Sequence, residues 1–371
     1  MGRPFLSAAL IVKNEEAVLD QCLRSLQPVV DEIVVVDTGS EDRTPEIARE
    51  MGALLVRTPW RDDFAAARNV AQEFARGRWI LSADADEVLE VNGDRLRAVL
   101  EATSDSAFTV TVRNALLGPG DELAWEDVPV VRLFRKRAGV LWEGRIHEQI
   151  LPSITRLGGT LGHLDWVVLR QRGYLPEELA RKGTRERNRR IFEALGEDLP
   201  PYLLYQRGVQ DAVEGRLSEA RRHLARALGR DPTAPWAARA ARLSAEVAEK
   251  LGKVRSALAL LKWAQSRWPA YTDLWLLEGQ IGARRGNPLG AAAAFTECLV
   301  KGDADVPWEH VTGAGSYIAL MQLGECFLMM GDARDAVPVL ERALELRPGY
   351  APAERALRRA RELLEGVATG A

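Results

Sequence analysis

Two carboxylates one residue apart, Asp84 and Asp86, follow the apolar run Trp79-Ile80-Leu81. Such a pair can hold a divalent cation with one carboxylate while the other meets a ribose or a metal-bound water. Alone, a D-x-D sequence is a common surface feature. Its position after a buried strand argues for more, because open α/β sheets bind ligands outside the C-terminal ends of their strands. Asp37 stands in the same relation to Ile33-Val34-Val35-Val36, and Lys13, Asn14 and Glu15 to the first apolar run, Ala8 to Val12. Three strand ends therefore gather polar side chains able to coordinate, accept hydrogen bonds and carry charge.

The elements that position them can be read from periodicity. Val18, Cys22 and Leu26 share one helical face, and four consecutive β-branched residues at 33–36 suit the interior of a parallel sheet. Asp37-Thr38-Gly39-Ser40 breaks that strand. Ser40 or a polar neighbour can cap a helix that starts near Thr44-Pro45 and runs to about Met51-Gly52. Ala53 to Val56 reads as a third strand, Phe64 to Ala75 as a third helix, and Trp79 to Leu81 as a fourth strand. Strands alternating with helices at this spacing imply βαβ units and a parallel sheet. From about Ala107 the pattern becomes strand-like: Phe108 to Val112, Val128 to Phe134, Arg145 to Ile150 and Gly162 to Leu169. A compact domain over residues 1–170 is expected.

The second half is helical and repeats with a period near 34. Small residues recur at repeat positions 8, 15, 20 and 27 with proline at 32, as Gly208, Gly215, Ala220, Ala227 and Pro232, then Ala245, Gly252, Ala257, Ala264 and Pro269. Gly279, Gly286, Ala291 and Cys298 continue the register with Asp303 in place of proline, and Gly324, Gly331, Ala336, Ala343 and Pro348 close it. Leu224, Leu261, Phe295 and Leu340 hold the apolar position 24. This is the pattern of stacked helix pairs of tetratricopeptide type over residues 200–371, ending in a solvated capping helix, Pro352 to Leu364. Residues 171–199, dense in Arg and Glu, read as a helical connector. At helical spacing in such an array, Trp236, Trp263, Trp268 and Trp275 read as inter-repeat core. Trp60 reads as loop packing or the wall of a sugar pocket, and Arg135-Lys136-Arg137 as a solvated turn.

Composition narrows the function classes. Of the 371 residues 47% are hydrophobic and 28% charged, with no apolar run long enough to span a membrane. The mean hydropathy is −0.17. Met1 to Val12 has a single early cation, Arg3, and reads as a strand rather than a secretion signal. Cys22, Cys298 and Cys326 are widely spaced, so a reducing cytoplasm is expected rather than a disulfide framework. A net charge of −3 argues against general nucleic-acid binding. That total hides an asymmetry. Residues 1–170 hold 20 Lys and Arg against 27 Asp and Glu, and the rest hold 30 against 26. A half of charge −7 would bind a nucleotide diphosphate only with a metal and positioned cations between them.

On these motifs the first half resembles a family 2 glycosyltransferase of the GT-A fold. They are Ile11-Val12-Lys13-Asn14-Glu15-Glu16, Glu32 to Ser40 with Asp42, Arg43 and Thr44, then Ala67-Arg68-Asn69 and Asp84-Ala85-Asp86-Glu87. Gly144-Arg145-Ile146-His147-Glu148 is similar to a subgroup whose GT-A domain precedes tetratricopeptide repeats, as in some bacterial peptide glycosyltransferases. The fold class implied is an α/β GT-A domain followed by an all-α repeat solenoid. The resemblance places Val12, Asn14 and Glu15 beside the nucleotide, Asp37 at the base or ribose, Arg68 at the diphosphate or sugar, and Asp84 at the ribose. Asp86 and His147 would bind Mn²⁺ or Mg²⁺. As a lone residue, His147 would read instead as an interior histidine bonded to a backbone carbonyl. In many related sequences a histidine precedes the Gly-Tyr that opens the connector, whereas here Gln171-Arg172 stands before Gly173-Tyr174.

The activity implied is transfer of a sugar from a UDP- or GDP-sugar to a peptide, protein or other acceptor, with inversion as in most of the family. Glu148 is the first candidate for the base that deprotonates the acceptor, with Asp127, Glu126 and Glu143 as alternatives. The repeats would recruit the acceptor or make a homodimer. A non-catalytic nucleotide-binding repeat scaffold is the rival reading. A nucleotidyltransferase is weaker, since no Gly-rich phosphate loop with Lys or Arg follows the first strand.

Overall fold

A computed structural model describes residues 2–117, 123–171, 183–304 and 310–369. Contacts within the chain divide it into one unit of Met1–Leu116 with Asp127–Asp198, and a second of Leu117–Glu126 with Leu199–Ala371.

The first unit is built on a mixed sheet. Its strands are β1 (Leu6–Val12), β2 (Glu32–Asp37), β3 (Leu54–Arg57), β4 (Trp79–Asp84), β5 (Glu87–Glu90), β6 (Ala107–Leu117), β7 (Leu123–Arg135) and β8 (Leu161–Gln171), in the order β3-β2-β1-β4-β7-β6-β8-β5. β1 lies between β2 and β4, parallel to both, and β7 joins β4 antiparallel. Between the strands run α1 (Leu19–Leu26), α2 (Thr44–Glu50), α3 (Phe64–Phe74), α4 (Gly93–Ala102) and α5 (Leu151–Arg156), and α6 (Thr184–Leu195) follows β8. The residue preceding each of α3 and α4 caps it: Asp63 accepts from the Ala66 amide and Asn92 from the Arg95 amide.

Alternation along the parallel strands makes two cores. Leu6, Ala8, Leu10, Ile33 and Val35 pack with Leu19, Cys22, Leu23 and Leu26 of α1, while Ala9, Val34 and Val36 pack with Ala65 and Ala71 of α3. Four β-branched residues in a row are thus shared between two faces, which only a doubly covered sheet permits.

Several expectations need correction. Arg145 to Ile150 is a turn-rich loop rather than a strand, because Gly144 and His147 take positive φ values of 100° and 51°, incompatible with extended chain. Ser40 does not cap α2. Its hydroxyl accepts from the Asn14 amide, and Asp42 accepts from Thr44 at the helix start. The turn Arg135-Lys136 is packed rather than solvated: Arg135 lies 4.4 Å over the buried Trp79 ring, and Lys136 bonds the Glu73 and Ala75 carbonyls at the end of α3. The helix α6, expected within a connector, belongs by its contacts to the first unit.

In the second unit successive helices pair as α7 (Pro201–Val213) with α8 (Leu217–Arg230), α9 (Ala237–Lys250) with α10 (Val254–Arg267), α11 (Asp273–Arg284) with α12 (Pro288–Lys301), and α13 (Tyr317–Met329) with α14 (Ala333–Leu346). Each repeat position has a physical role. Gly215, Gly252, Gly286 and Gly331 have φ near +70° to +80°, the left-handed turn between paired helices. Gly208, Gly279 and Gly324 lie so close to Leu224, Phe295 and Leu340 that a Cβ would sit 2.7, 2.5 and 2.6 Å from those side chains. Position 8 is therefore small because position 24 fills its space. Asp303, standing where proline recurs elsewhere, accepts from the Gly315 amide and the Ser316 hydroxyl.

The closing helix α15 (Ala351–Thr369) is less solvated than expected, since Ala353, Ala356, Leu357 and Ala360 pack on α14 residues Leu340 and Ala343. Trp236 stacks on Tyr205 at 5.3 Å and Trp275 contributes to two neighbouring cores, but Trp263 is 40% exposed. Among the described residues no helix is long and apolar enough to cross a membrane.

Candidate active site

Register places the acidic side chains. Val12 at the end of β1 pairs with Asp37, and Ile11 pairs with Asp84, so two carboxylates flank the C-terminal end of the central strand. Asp37 is nearly inaccessible, and its Oδ1 accepts from the Ser40 amide at 2.9 Å and more weakly from Gly39, which fixes the turn after β2. Its other oxygen lies 3.7 Å from Arg57. Asn14 adopts a φ of 54°, and its Oδ1 accepts from the Glu41 amide at 2.8 Å, tying the β1 and β2 loops together. The buried Glu15 donates its amide to the Thr44 hydroxyl.

A cationic network lies beneath Asp84. Arg68, from α3, donates to Asp84 at 2.8 Å, Ser82 at 3.0 Å and Glu148 at 2.5 Å, and its guanidinium lies 5.0 Å over the Trp142 ring. Arg132, from β7, donates to the second oxygen of Asp84 at 2.6 Å and to Glu87 at 2.9 Å. Both guanidiniums are buried, while the Asp84 side chain keeps 32% exposure. Burial disfavours its charge, but Arg132 and Arg68 outweigh burial and hold Asp84 well below the usual carboxylate range. The fully buried Glu87 is pushed up to about 8, by burial first and by its neighbours Asp84 and Asp86 next.

The His147 and Glu148 loop enters from the other direction. The turn is pinned by reciprocal backbone bonds between Glu143 and Gln149 and by the Phe64 amide donating to the Arg145 carbonyl. Its left-handed φ at His147 is a conformation most side chains avoid. The His147 ring lies 6.0 Å from Phe192 of α6, and burial followed by the charge of Arg187 lowers its pKa to about 4. The imidazole is therefore neutral at pH 7 and keeps a lone pair.

That neutral imidazole and the half-buried Asp86 carboxylate suit a divalent cation in donor chemistry. Among the described residues, no group of three or more His, Cys, Asp or Glu side chains converges to hold a metal unaided. The protein residues in question thus fit an ion whose remaining ligands come from phosphate oxygens and water.

The structure brings together Val12, Asp37, Arg68, Asp84 and Glu148, and gives Asp127 and Glu143 ion-pair partners of their own. Asp127 is held bidentate by Arg113 at 2.7 Å through both oxygens. Glu126 falls in the second unit, where its charge acts on Tyr205, Arg242 and Asp273. Glu143 pairs with Arg156. Arg68, expected at the diphosphate or the donor sugar, has three side-chain acceptors of its own. Gln171 bonds Asn114, and the Arg172, Gly173 and Tyr174 that follow lie outside the described residues. Sequence reasoning passed over Arg132 and Arg187, and gave Glu87 no role beyond its place in the Asp84 to Glu87 motif. A sign of Arg132 was present, since a cation inside the apolar run Val130-Val131-Arg132-Leu133-Phe134 needs a buried anion.

Known proteins share parts of this sequence. Residues 7–147 match the model of glycosyl transferase family 2. A TPR repeat-containing protein of Synechococcus elongatus is 38% identical over 233 residues, which are 60% of this chain and 56% of that protein. The prophage-derived glycosyltransferase SunS of Bacillus subtilis is 28% identical over 149 residues, 39% of this chain and 35% of that protein. The chain thus spans little more than half the length of the first of these relatives and about a third of the second. Among solved structures, the glucosyl-3-phosphoglycerate synthase of Mycobacterium tuberculosis in complex with Mn²⁺ and UDP-glucose aligns with 50% of this chain and 77% of that one, at 18% identity and a TM-score of 0.37. The first half of the chain thus resembles a glycosyl transferase family 2 domain and is built on an α/β sheet, and paired helices with the tetratricopeptide period follow it in sequence.

Proposed function

We propose that the protein is a metal-dependent glycosyltransferase that moves a sugar from a nucleotide-diphosphate sugar, UDP- or GDP-linked, to an acceptor recruited by the repeat unit, a peptide or protein being the class that suits such repeats. The observation that carries this reading is the linkage of Asp84, at the end of a central parallel strand, to Glu148 through one buried guanidinium, Arg68. A strand-end carboxylate that must face a ribose and a carboxylate that must face an acceptor are thereby held in one frame.

In this reading Asp37 accepts hydrogen bonds from the base or ribose, and Val12, Asn14 and Glu15 shape the nucleotide cleft. Asp84 accepts from a ribose hydroxyl while its two arginines keep it ionised. Asp86 and His147 would hold Mn²⁺ or Mg²⁺, which when bound would supply positive charge against that of the departing nucleoside diphosphate. Glu148, oriented by Arg68 through one oxygen, takes the acceptor proton with the other. A single displacement assisted by one base inverts the anomeric centre.

The test is donor turnover by purified protein against a panel of UDP- and GDP-sugars with Mn²⁺, with nucleoside diphosphate release followed by mass spectrometry. Glu148→Gln is expected to reduce acceptor-dependent transfer by about 10²- to 10⁴-fold while nucleotide affinity stays near that of the parent. Binding of a nucleoside diphosphate without turnover of any donor would favour the non-catalytic scaffold instead.

A further inference from the structure

Among the described residues, three guanidiniums approach the Asp84 and Glu148 side of the candidate site, and two are committed. Arg68 serves Glu148, Asp84 and Ser82, and Arg132 serves Asp84 and Glu87. The third is Arg187, on α6, and its situation differs. It stacks 4.8 Å over the ring of Phe64, and its Nε and Nη2 reach only the side-chain oxygen of the adjacent Asn188, at 3.3 Å. Among the described residues no carboxylate lies at salt-bridge distance from it.

Its placement is fixed by the helix that carries it. One turn further along α6, Ile191 and Phe192 are buried in the first unit, with Phe192 against the His147 ring, and Arg190 grips Asp62 at 2.6 and 3.1 Å. Arg187 shares the face of Ile191 at the i, i+4 spacing. The surroundings identify where that face points. Phe64, on which it stacks, donates its amide to the Arg145 carbonyl of the His147 and Glu148 loop, and burial lowers the pKa of Arg187 against the opposing charges of Glu148, Glu15 and Asp84. The guanidinium thus lies among the groups assigned to base, nucleotide and metal, half-buried and without an anionic partner in contact.

An arginine stacked on an aromatic face keeps its N–H groups in the ring-parallel plane, free to form paired bonds to phosphate oxygens. We infer that Arg187 is the residue that takes the donor's diphosphate, and holds the nucleoside diphosphate as it departs, from the helix that follows the sheet. The assignment rests on the donor reading above and deepens it. Arg68 is then a positioning residue for Asp84 and Glu148.

The experiment is calorimetric titration of the full chain with UDP, GDP, uridine and guanosine at fixed Mn²⁺. For the base that binds the parent protein, Arg187→Gln is expected to weaken the diphosphate by about ten- to a hundred-fold while leaving the nucleoside unchanged. Arg187→Lys should recover part of the loss, because it restores the charge without the planar fork. Arg190→Gln serves as the control for docking of α6: it removes the bond to Asp62 and should lower the melting temperature without altering the ratio of diphosphate to nucleoside affinity. An Arg187→Gln protein that keeps the parental ratio, whether both affinities hold or fall together, overturns the assignment and leaves the donor reading intact. A parent protein that binds neither diphosphate overturns both.

Discussion

Arg132 carries two carboxylates on one buried guanidinium, and the cost of removing it follows from what remains. In Arg132→Met the inaccessible Glu87, largely protonated at pH 7, and one oxygen of Asp84 lose their partner, and unpaired buried groups of this kind cost about 1–3 kcal/mol. Replacing Glu87 as well, in an Arg132→Met, Glu87→Leu protein, should recover part of that loss, because the apolar pair leaves no unpaired carboxyl at Glu87, while the Asp84 amide loses its acceptor there. Chemical denaturation of the two variants checks both halves. Equal instability would mean that Asp84, not Glu87, is the group that Arg132 chiefly supports. The three site arginines thus divide by partner: Arg132 neutralises, Arg68 positions, and Arg187 awaits an anion. That division was hidden in the sequence. Asp37, Asp84 and Asp86 were legible because a carboxylate directly after a β-branched or apolar run has a defined place in a parallel sheet. Arg187 stands in the cation-rich stretch Arg185 to Arg190, where no periodicity separates the one directed at the site from those in solvent. Only the burial of Ile191 and Phe192 makes that distinction.

At the scale of elements, the repeat register was the most legible feature of the chain, and the structure supplies its cause. The same 16-residue offset that joins Gly279 to Phe295 joins Gly208 to Leu224 and Gly324 to Leu340. A methyl group at Gly279 would stand 2.5 Å from the Phe295 ring, closer than packing allows. Gly279→Ala should therefore destabilise the second unit by about 1–3 kcal/mol. A further change, Phe295→Leu in the Gly279→Ala background, restores the pairing that Ala245 and Leu261 already show and should relieve part of the cost. Thermal denaturation of the single and double variants decides it: additive losses would contradict the pairing. Less legible was the loop at 144–150. Its residues Ile146, Gln149 and Ile150 suit a strand, and the turn depends on a positive φ at His147, a position sequence alone assigns to no particular residue. The helix α4 was also missed, since Asn92-Gly93 reads as a turn until Asn92 is seen to cap.

For the molecule as a whole, the charge asymmetry acquires a location. Part of the excess of acid over base in residues 1–170 lies where Glu15, Asp84, Asp86, Glu87 and Glu148 stand with three arginines, and it is this cluster that a cation and a diphosphate would complete. The account then turns on one measurement, the thermal stability of the chain titrated with nucleoside diphosphates in the presence and absence of Mn²⁺. A ligand bound only by the folded protein stabilises it by about 2.7 kcal/mol at a hundred times its Kd. The expected result is that UDP or GDP raises the melting temperature with Mn²⁺ present, that chelation removes most of the gain, and that Asp84→Ala and Asp86→Ala each abolish it. A melting temperature unmoved by every nucleoside diphosphate and metal, or a shift that survives in both aspartate variants, would contradict the assignment of this strand-end cluster as a nucleotide-sugar site.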